Sequence, residues 1–173
     1  MLYDKFPALA IRANRNTSEY RNIEDLGNYV AIVPTKKLYQ TTLALLHFID
    51  GSSLSHFRLI YESHTILGQN PLTSSLKIFE YVPGALIKVS NAPGQKVVAL
   101  LNMTSNQGRK FIYINEGTSE VRVPYSTEKR YGTHAMTPYL VALGNNSTDL
   151  RKRSINVTED DVIHGRVIEV NLS

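Results

Sequence analysis

Among its 173 residues the chain has no cysteine and no tryptophan. Without cysteine there can be no disulfide staple, no thiol nucleophile and no thiolate zinc site. Long apolar runs are missing too. Stretches such as Leu43–Leu46 and Val97–Leu101 fall far short of the roughly 20 residues that a bilayer-spanning helix requires. The amino terminus, Met1-Leu2-Tyr3-Asp4-Lys5, breaks at Pro7 and lacks the basic start and apolar stretch of a signal peptide. The chain by itself is therefore expected to be soluble. A strong charge of one sign is also absent, because 19 Lys and Arg stand against 15 Asp and Glu for a net +4. The dense basic groups, Arg151-Lys152-Arg153 and Lys129-Arg130, lie beside acidic residues or a turn. They read as solvated surface rather than as the stripe of a nucleic-acid binder, and no nucleic-acid partner is expected.

What remains is a chain that is 42% hydrophobic and 20% charged, sufficient to bury one core and too apolar to be disordered. The first third reads as helical. Asp4 can cap a short helix with Pro7 in its first turn, and Leu2, Phe6, Leu9, Ala10 and Ala13 then share a face. Tyr20 to Asn28 reads as irregular, and Tyr29 to Val33 as a short strand stopped by Pro34. Thr35 is expected to cap a second helix running to Ile49. Its buried stripe is Leu38, Thr42, Leu45, Leu46 and Ile49, with Gly51 as a left-handed terminator.

From Phe57 the apolar period changes to two. Strands are expected at Phe57 to Glu62, Leu76 to Val82, Leu86 to Val89, Lys96 to Met103, Lys110 to Ile114 and Glu120 to Tyr125. Others follow at Tyr139 to Leu143, Ser154 to Val157 and Val162 to Val170, the last with a bulge at Gly165. The expected fold class is thus α+β. A helical segment over 1–52 leads into a mostly antiparallel β-sandwich or open β-barrel over 53–173.

Motifs for chemistry are sparse. None of His47, His56, His64, His134 and His164 forms an i,i+4 pair of the kind that binds zinc on a helix. Glu62 and Glu80 fall on neighbouring expected strands, where a carboxylate pair is ordinary sheet surface. Glu159-Asp160-Asp161 reads as the cap of a turn and departs from the calcium-loop pattern. Asn91-Ala92-Pro93-Gly94 and Asn106-Gln107-Gly108-Arg109 read as turns. No catalytic or metal-ligating residue is assigned. Tyr81, Tyr113, Tyr125, Tyr131 and Tyr139 are the candidate platforms for an alternative reading, a freestanding carbohydrate-binding β domain. Asn-x-Ser/Thr triplets begin at Asn16, Asn102, Asn145, Asn146, Asn156 and Asn171. Chance predicts about two, so the excess favours a compartment outside the cytoplasm.

Several strings together carry a resemblance. They are His47-Phe48-Ile49-Asp50-Gly51, Leu54-Ser55-His56-Phe57-Arg58-Leu59-Ile60-Tyr61-Glu62-Ser63 and Lys77-Ile78-Phe79-Glu80-Tyr81-Val82-Pro83-Gly84-Ala85. Gly108-Arg109-Lys110-Phe111-Ile112-Tyr113, Val123-Pro124-Tyr125-Ser126-Thr127-Glu128 and Val157-Thr158-Glu159-Asp160-Asp161-Val162-Ile163-His164-Gly165 continue the series. In this order they resemble the C-terminal soluble region of the archaeal oligosaccharyltransferase catalytic subunit. The resemblance implies a part of an enzyme that transfers a lipid-linked oligosaccharide to the Asn of a sequon, on the extracytoplasmic face of the membrane. It implies as partners the enzyme's own N-terminal transmembrane domain, the acceptor sequon and the lipid-linked oligosaccharide. The divalent metal, manganese or magnesium, would belong to the full-length enzyme, with no cofactor in this chain.

Two departures matter. Without tryptophan the WWDYG motif of the family cannot be present, and it is expected before Met1. Of the family's helical Asp-x-x-Lys-x-x-x-Met motif, Lys5 and Leu9 match the Lys and the Met, while Leu2 stands at the Asp position. Lys5 and Leu9 are accordingly the implied residues of an acceptor-sequon pocket, and one helical turn would put both on one face.

Overall fold

The computed structural model describes residues 9–11, 20–25, 30–34, 40–64, 66–67, 73–90, 92–129, 132–143 and 151–172. Three strands come first: β1 (Leu9–Ile11), β2 (Tyr20–Asp25) and β3 (Val30–Pro34), in the order β1-β3-β2. Helix α1 (Thr42–Ile49) follows, then a ribbon of β4 (Phe57–Glu62) and β7 (Lys77–Tyr81), with β5 (Ile66–Leu67) and β6 (Thr73–Ser74) paired between them. The remaining strands are β8 (Ala85–Ser90), β9 (Lys96–Thr104), β10 (Lys110–Thr118), β11 (Glu120–Val123), β12 (His134–Ala135), β13 (Tyr139–Leu143) and β14 (Arg151–Ile155). Helix α2 (Glu159–His164) and β15 (Val167–Asn171) close the chain.

Two sheets make an open sandwich of mostly antiparallel strands. One runs β10-β9-β13-β14 with β12 also on β9, and the other runs β11-β8-β15. The alternation explains why. In β9, Val97, Ala99, Leu101 and Met103 are buried while their neighbours are not, and β8 buries Ala85, Ile87 and Val89 in the same way. Tyr139, Val141 and Leu143 of β13 and Val121 and Val123 of β11 complete one continuous core. Fully burying each Val, Leu or Ile side chain contributes about 1.5–3 kcal/mol. This core thus outweighs any single polar contact. The one parallel pairing among the described strands of the sandwich is β15 on β8, and the connection between them runs through β9–β14 before α2 leads into β15.

Helix α1 starts later than the sequence suggests. Its N-cap is Thr41, whose hydroxyl accepts from the Ala44 N–H at 3.3 Å; Thr35 lies outside the described residues. At its other end Asp50 itself turns left-handed (φ 60°), followed by Gly51 (φ 76°). The Gly51 N–H then closes on the Leu45 carbonyl at 2.8 Å.

Three expectations are corrected. Leu9–Ile11 is a strand rather than part of a first helix, pairing Leu9 with Ile32 and Ile11 with Val30. The stretch read as irregular contains β2. In both, inter-strand hydrogen bonding overrides weak local propensity. Finally, the run read as one strand from Val162 divides. Thr158 and Asp161 form a capping box, Glu159–His164 is helical, and Gly165 (φ 63°) is the C-cap rather than a bulge. The strand expected over Ser154 to Val157 sits at Arg151–Ile155.

Gly84 joins the ribbon to the sandwich at φ 74°, where a Cβ would stand 2.8 Å from the Ser55 carbonyl oxygen and 3.1 Å from that of Val123. Only glycine fits this left-handed crossing.

Candidate functional site

The ribbon and α1 are fastened to the sandwich by polar side chains, in three sets. The first is centred on Arg109, which follows the β9–β10 turn. Its guanidinium donates to both carboxylate oxygens of Asp50, at 2.9 and 2.7 Å. It also donates to both oxygens of Glu62, with a shortest contact of 2.7 Å. Lys77, in β7 opposite Glu62, donates to the Asp50 carboxylate at 2.7 Å and to the His47 carbonyl at 2.6 Å. The C-terminus of α1, both ribbon strands and the β9–β10 turn thus meet at four charges. The Glu62 side chain is 1% exposed and that of Lys77 3%. Buried charges of this kind are tolerable only when paired and hydrogen-bonded.

The turn itself is shaped to receive the ribbon. Asn106 accepts from the Glu62 N–H at 2.8 Å and donates to the Glu62 carbonyl at 3.0 Å. Gln107 donates to that same carbonyl. Burial alone would raise the Glu62 carboxyl, but hydrogen bonds from Arg109 and Ser105, with the charges of Arg109 and Lys77, hold it below its usual range. The same carboxylates raise Arg109 against the effect of its burial. The His47 imidazole is lowered, first by burial and then by the Lys77 charge, with Asp50 opposing.

The second set is centred on Arg58 in β4. It pairs in a bidentate manner with Glu159 at the start of α2 (2.9 and 2.8 Å) and with Glu80, its cross-strand partner, at 2.8 Å. The third set is tyrosine hydroxyls. Tyr125 accepts from the Leu59 N–H at 2.7 Å, Tyr113 donates to the Leu54 carbonyl at 3.0 Å, and Tyr139 donates to the Tyr125 carbonyl at 3.0 Å. Burial drives all three phenols up, so they stay protonated.

A cavity of about 190 Å³ opens beside the second set, between Arg58, Ile60 and Glu80 of the ribbon and Ser126, Glu128, Thr133 and His134 opposite. Among the described residues no group of three or more His, Asp or Glu is arranged to hold a metal ion. No helix among them is long and apolar enough to cross a membrane.

These observations place the residues singled out from the sequence. Glu62 and Glu80 do not pair with each other: one faces Arg109 and Lys77, the other Arg58. His56 binds the Val82 carbonyl at 3.0 Å and stacks on Tyr81. Tyr113, Tyr125 and Tyr139 are buried and unavailable as sugar platforms, which removes most of the case for a carbohydrate-binding module. Tyr81 is exposed, and Tyr131 lies outside the described residues. Lys5 also lies outside them, while Leu9 is the first residue of β1 paired with Ile32. The helical turn expected to bring Lys5 and Leu9 onto one face is replaced at Leu9 by a strand. Arg109 carries little mark of this role in the sequence, because a basic residue after Gly108 looks like turn surface. The only available signal was its position between two apolar strands.

An open β-sandwich with a charge-locked helical and ribbon appendage is the class of domain that these features define. Comparison with known proteins specifies it further. Residues 84–168 match the family model described as the archaeal glycosylation protein B long peripheral domain. The chain is 27% identical to dolichyl-phosphooligosaccharide-protein glycotransferase 3 of Archaeoglobus fulgidus, over 81% of this chain and 23% of that protein. It superposes on a crystal structure of an Archaeoglobus fulgidus oligosaccharyltransferase in complex with zinc and sulfate. There the TM-score is 0.68 and the identity 25%, covering 82% of this chain and 26% of that one. A structure of such an enzyme tethered to an acceptor peptide containing an NVT sequon gives a TM-score of 0.67 at 26% identity, over 82% of this chain and 24% of that one. The chain therefore spans about a quarter of the length of these relatives. Over residues 84–168 it corresponds to the C-terminal peripheral domain of the archaeal oligosaccharyltransferase.

Proposed function

We propose that this domain is an inert support for a membrane-bound oligosaccharyltransferase, packing against the catalytic part and helping to present the acceptor sequon. Residues 1–52 would close the central part of that enzyme, and 53–173 would form the peripheral domain. The observation that carries this reading is the commitment of Asp50, Glu62 and Glu159, the buried carboxylates, to Arg and Lys partners within the domain. A carboxylate whose oxygens are held by a guanidinium or ammonium group is not free to attack an anomeric carbon.

The chemistry of the reaction supports the same division. An amide nitrogen is a poor nucleophile because its lone pair is delocalised, and the departing lipid phosphate must be stabilised as charge develops on it. A divalent cation, manganese or magnesium, supplies such stabilisation in the catalytic part. The lipid-linked oligosaccharide and the transmembrane domain would be partners through that part, on the extracytoplasmic face. The isolated chain, given manganese, lipid-linked oligosaccharide and a sequon peptide, is expected to produce no glycopeptide detectable by mass spectrometry. Measurable turnover overturns the reading.

A further inference from the structure

The β4–β7 ribbon has two faces. Lys77 and Phe79 turn inward, toward the Arg109 cluster and Gly51. The opposite face follows from the register: Tyr61 stands across from Ile78, and Arg58 from Glu80, with Leu76 two residues before Ile78. Tyr61, Leu76 and Ile78 are 40%, 53% and 44% exposed, an apolar strip on a face that should otherwise be polar. The strip runs toward Arg58 and Glu80, and these two line the 190 Å³ cavity.

The cavity is unusual in its charge. Its walls carry three carboxylates, Glu80, Glu128 and Glu159, against Arg58, whose guanidinium is already taken by Glu80 and Glu159. Glu128 accepts from the backbone N–H of Glu159 at 3.2 Å. Thr133 Oγ1, also on the wall, is buried without a hydrogen-bond partner. An unpaired buried hydroxyl of this kind costs free energy until something donates to it or accepts from it.

We infer that this cavity and strip together form a docking surface for a protein segment that carries a Lys or Arg side chain beside apolar residues. The basic head reaches Glu128, Glu80 and Thr133 Oγ1, its aliphatic stem lies along Ile60, and the flanking apolar side chains cover Tyr61, Ile78 and Leu76. The occupant is a segment of the same transferase outside these 173 residues, and in this the inference rests on the functional reading above. Charge complementarity and the continuity of cavity with strip are what select it.

The test titrates the isotopically labelled 173-residue chain, observed by NMR, with acetyl-Leu-Lys-Leu-amide. Norleucine or Glu replaces Lys in two control peptides. Expected are shifts at Ile60, Tyr61, Ile78, Ser126, Glu128 and Thr133 with the Lys peptide and at least fivefold weaker binding of either control. Glu128→Gln and Ile78→Ser, both exposed positions, should each weaken the Lys peptide about three- to fivefold. Equal binding of the three peptides, preference for the Glu peptide, or variants without effect overturns the inference. So do concentration-dependent shifts at these residues without peptide, because a second copy would then be the occupant. Any of these leaves the supporting role in glycosylation intact. That role falls separately, if the chain alone glycosylates the sequon peptide.

Discussion

The sandwich and the ribbon–helix appendage are held by different physics. In the sandwich, Ile87, Val97, Leu101, Val141 and their neighbours exclude water along alternating strand positions, and the contribution of each is non-directional. In the appendage, Arg109, Asp50, Glu62 and Lys77 meet at distances near 2.7 Å, and the Tyr125 hydroxyl binds the ribbon backbone at Leu59. Apolar packing tolerates repacking, whereas a directional charge cluster specifies one placement and fails when a member is removed. The difference teaches that the appendage is positioned rather than merely attached. Positioning is what a domain needs if it must present a surface to a larger enzyme.

The sharpest way to break this contrast is Arg109→Ala, which strands the Asp50 and Glu62 carboxylates. The expected loss is about 3–5 kcal/mol. Hydrogen exchange should rise first in α1, β4 and β7, with β9 and β13 still protected. Uniform loss of protection would show that the two regions unfold as one unit. Next is Tyr125→Phe, which removes the acceptor of the Leu59 N–H while keeping the ring. A loss of about 1–3 kcal/mol in urea unfolding is expected, and an unchanged midpoint would mean that the ribbon does not depend on this hydroxyl. A smaller effect, about 1 kcal/mol, is expected for Thr158→Ala, which deletes the α2 cap that sets the position of Glu159.

Acidification separates the regions without mutation. The Glu62 carboxyl is depressed below its ordinary 4.5, so its stabilisation is complete above that pH and is lost as pH falls through the depressed value. His47 is lowered from 6.5, so folding favours the neutral ring and stability declines as pH drops below 6.5. Urea midpoints measured from pH 7.5 to 3.5 should fall in two stages. His47→Gln should remove the earlier one, and persistence of that stage would assign it to another group.

How much of this was legible in the sequence differs between the same two regions. The strands over Lys96 to Met103 and Tyr139 to Leu143 were readable because period two puts every second side chain on the buried face, whereas in Phe57 to Glu62 a register shift between Leu59 and Tyr61 breaks that alternation. The family strings lie across the same residues. The β1 and β2 strands were not readable, since Leu9–Ile11 is too short for its alternation to outweigh an apparent helical face. The α2 helix was hidden for a related reason: Val162 and Ile163 look like the start of the strand that begins at Val167. Its Thr158–Asp161 capping box was visible in the sequence all the same, as a Thr followed three residues later by an acidic side chain.

From the amino-acid order alone came the alternation that dictates a sandwich, the absence of thiol chemistry and the strings shared with the transferase family. These are local properties, readable within a few residues of each position. Tertiary structure alone decided that Arg109 faces Asp50 and Glu62, that Glu80 joins Arg58 and Glu159, and that three tyrosines are pegs instead of platforms. The charge pairings among them link residues from 22 to 101 positions apart in sequence. A charged side chain carries no mark of its partner in its own neighbourhood. Only folding, which removes water from both, determines where the partner lies.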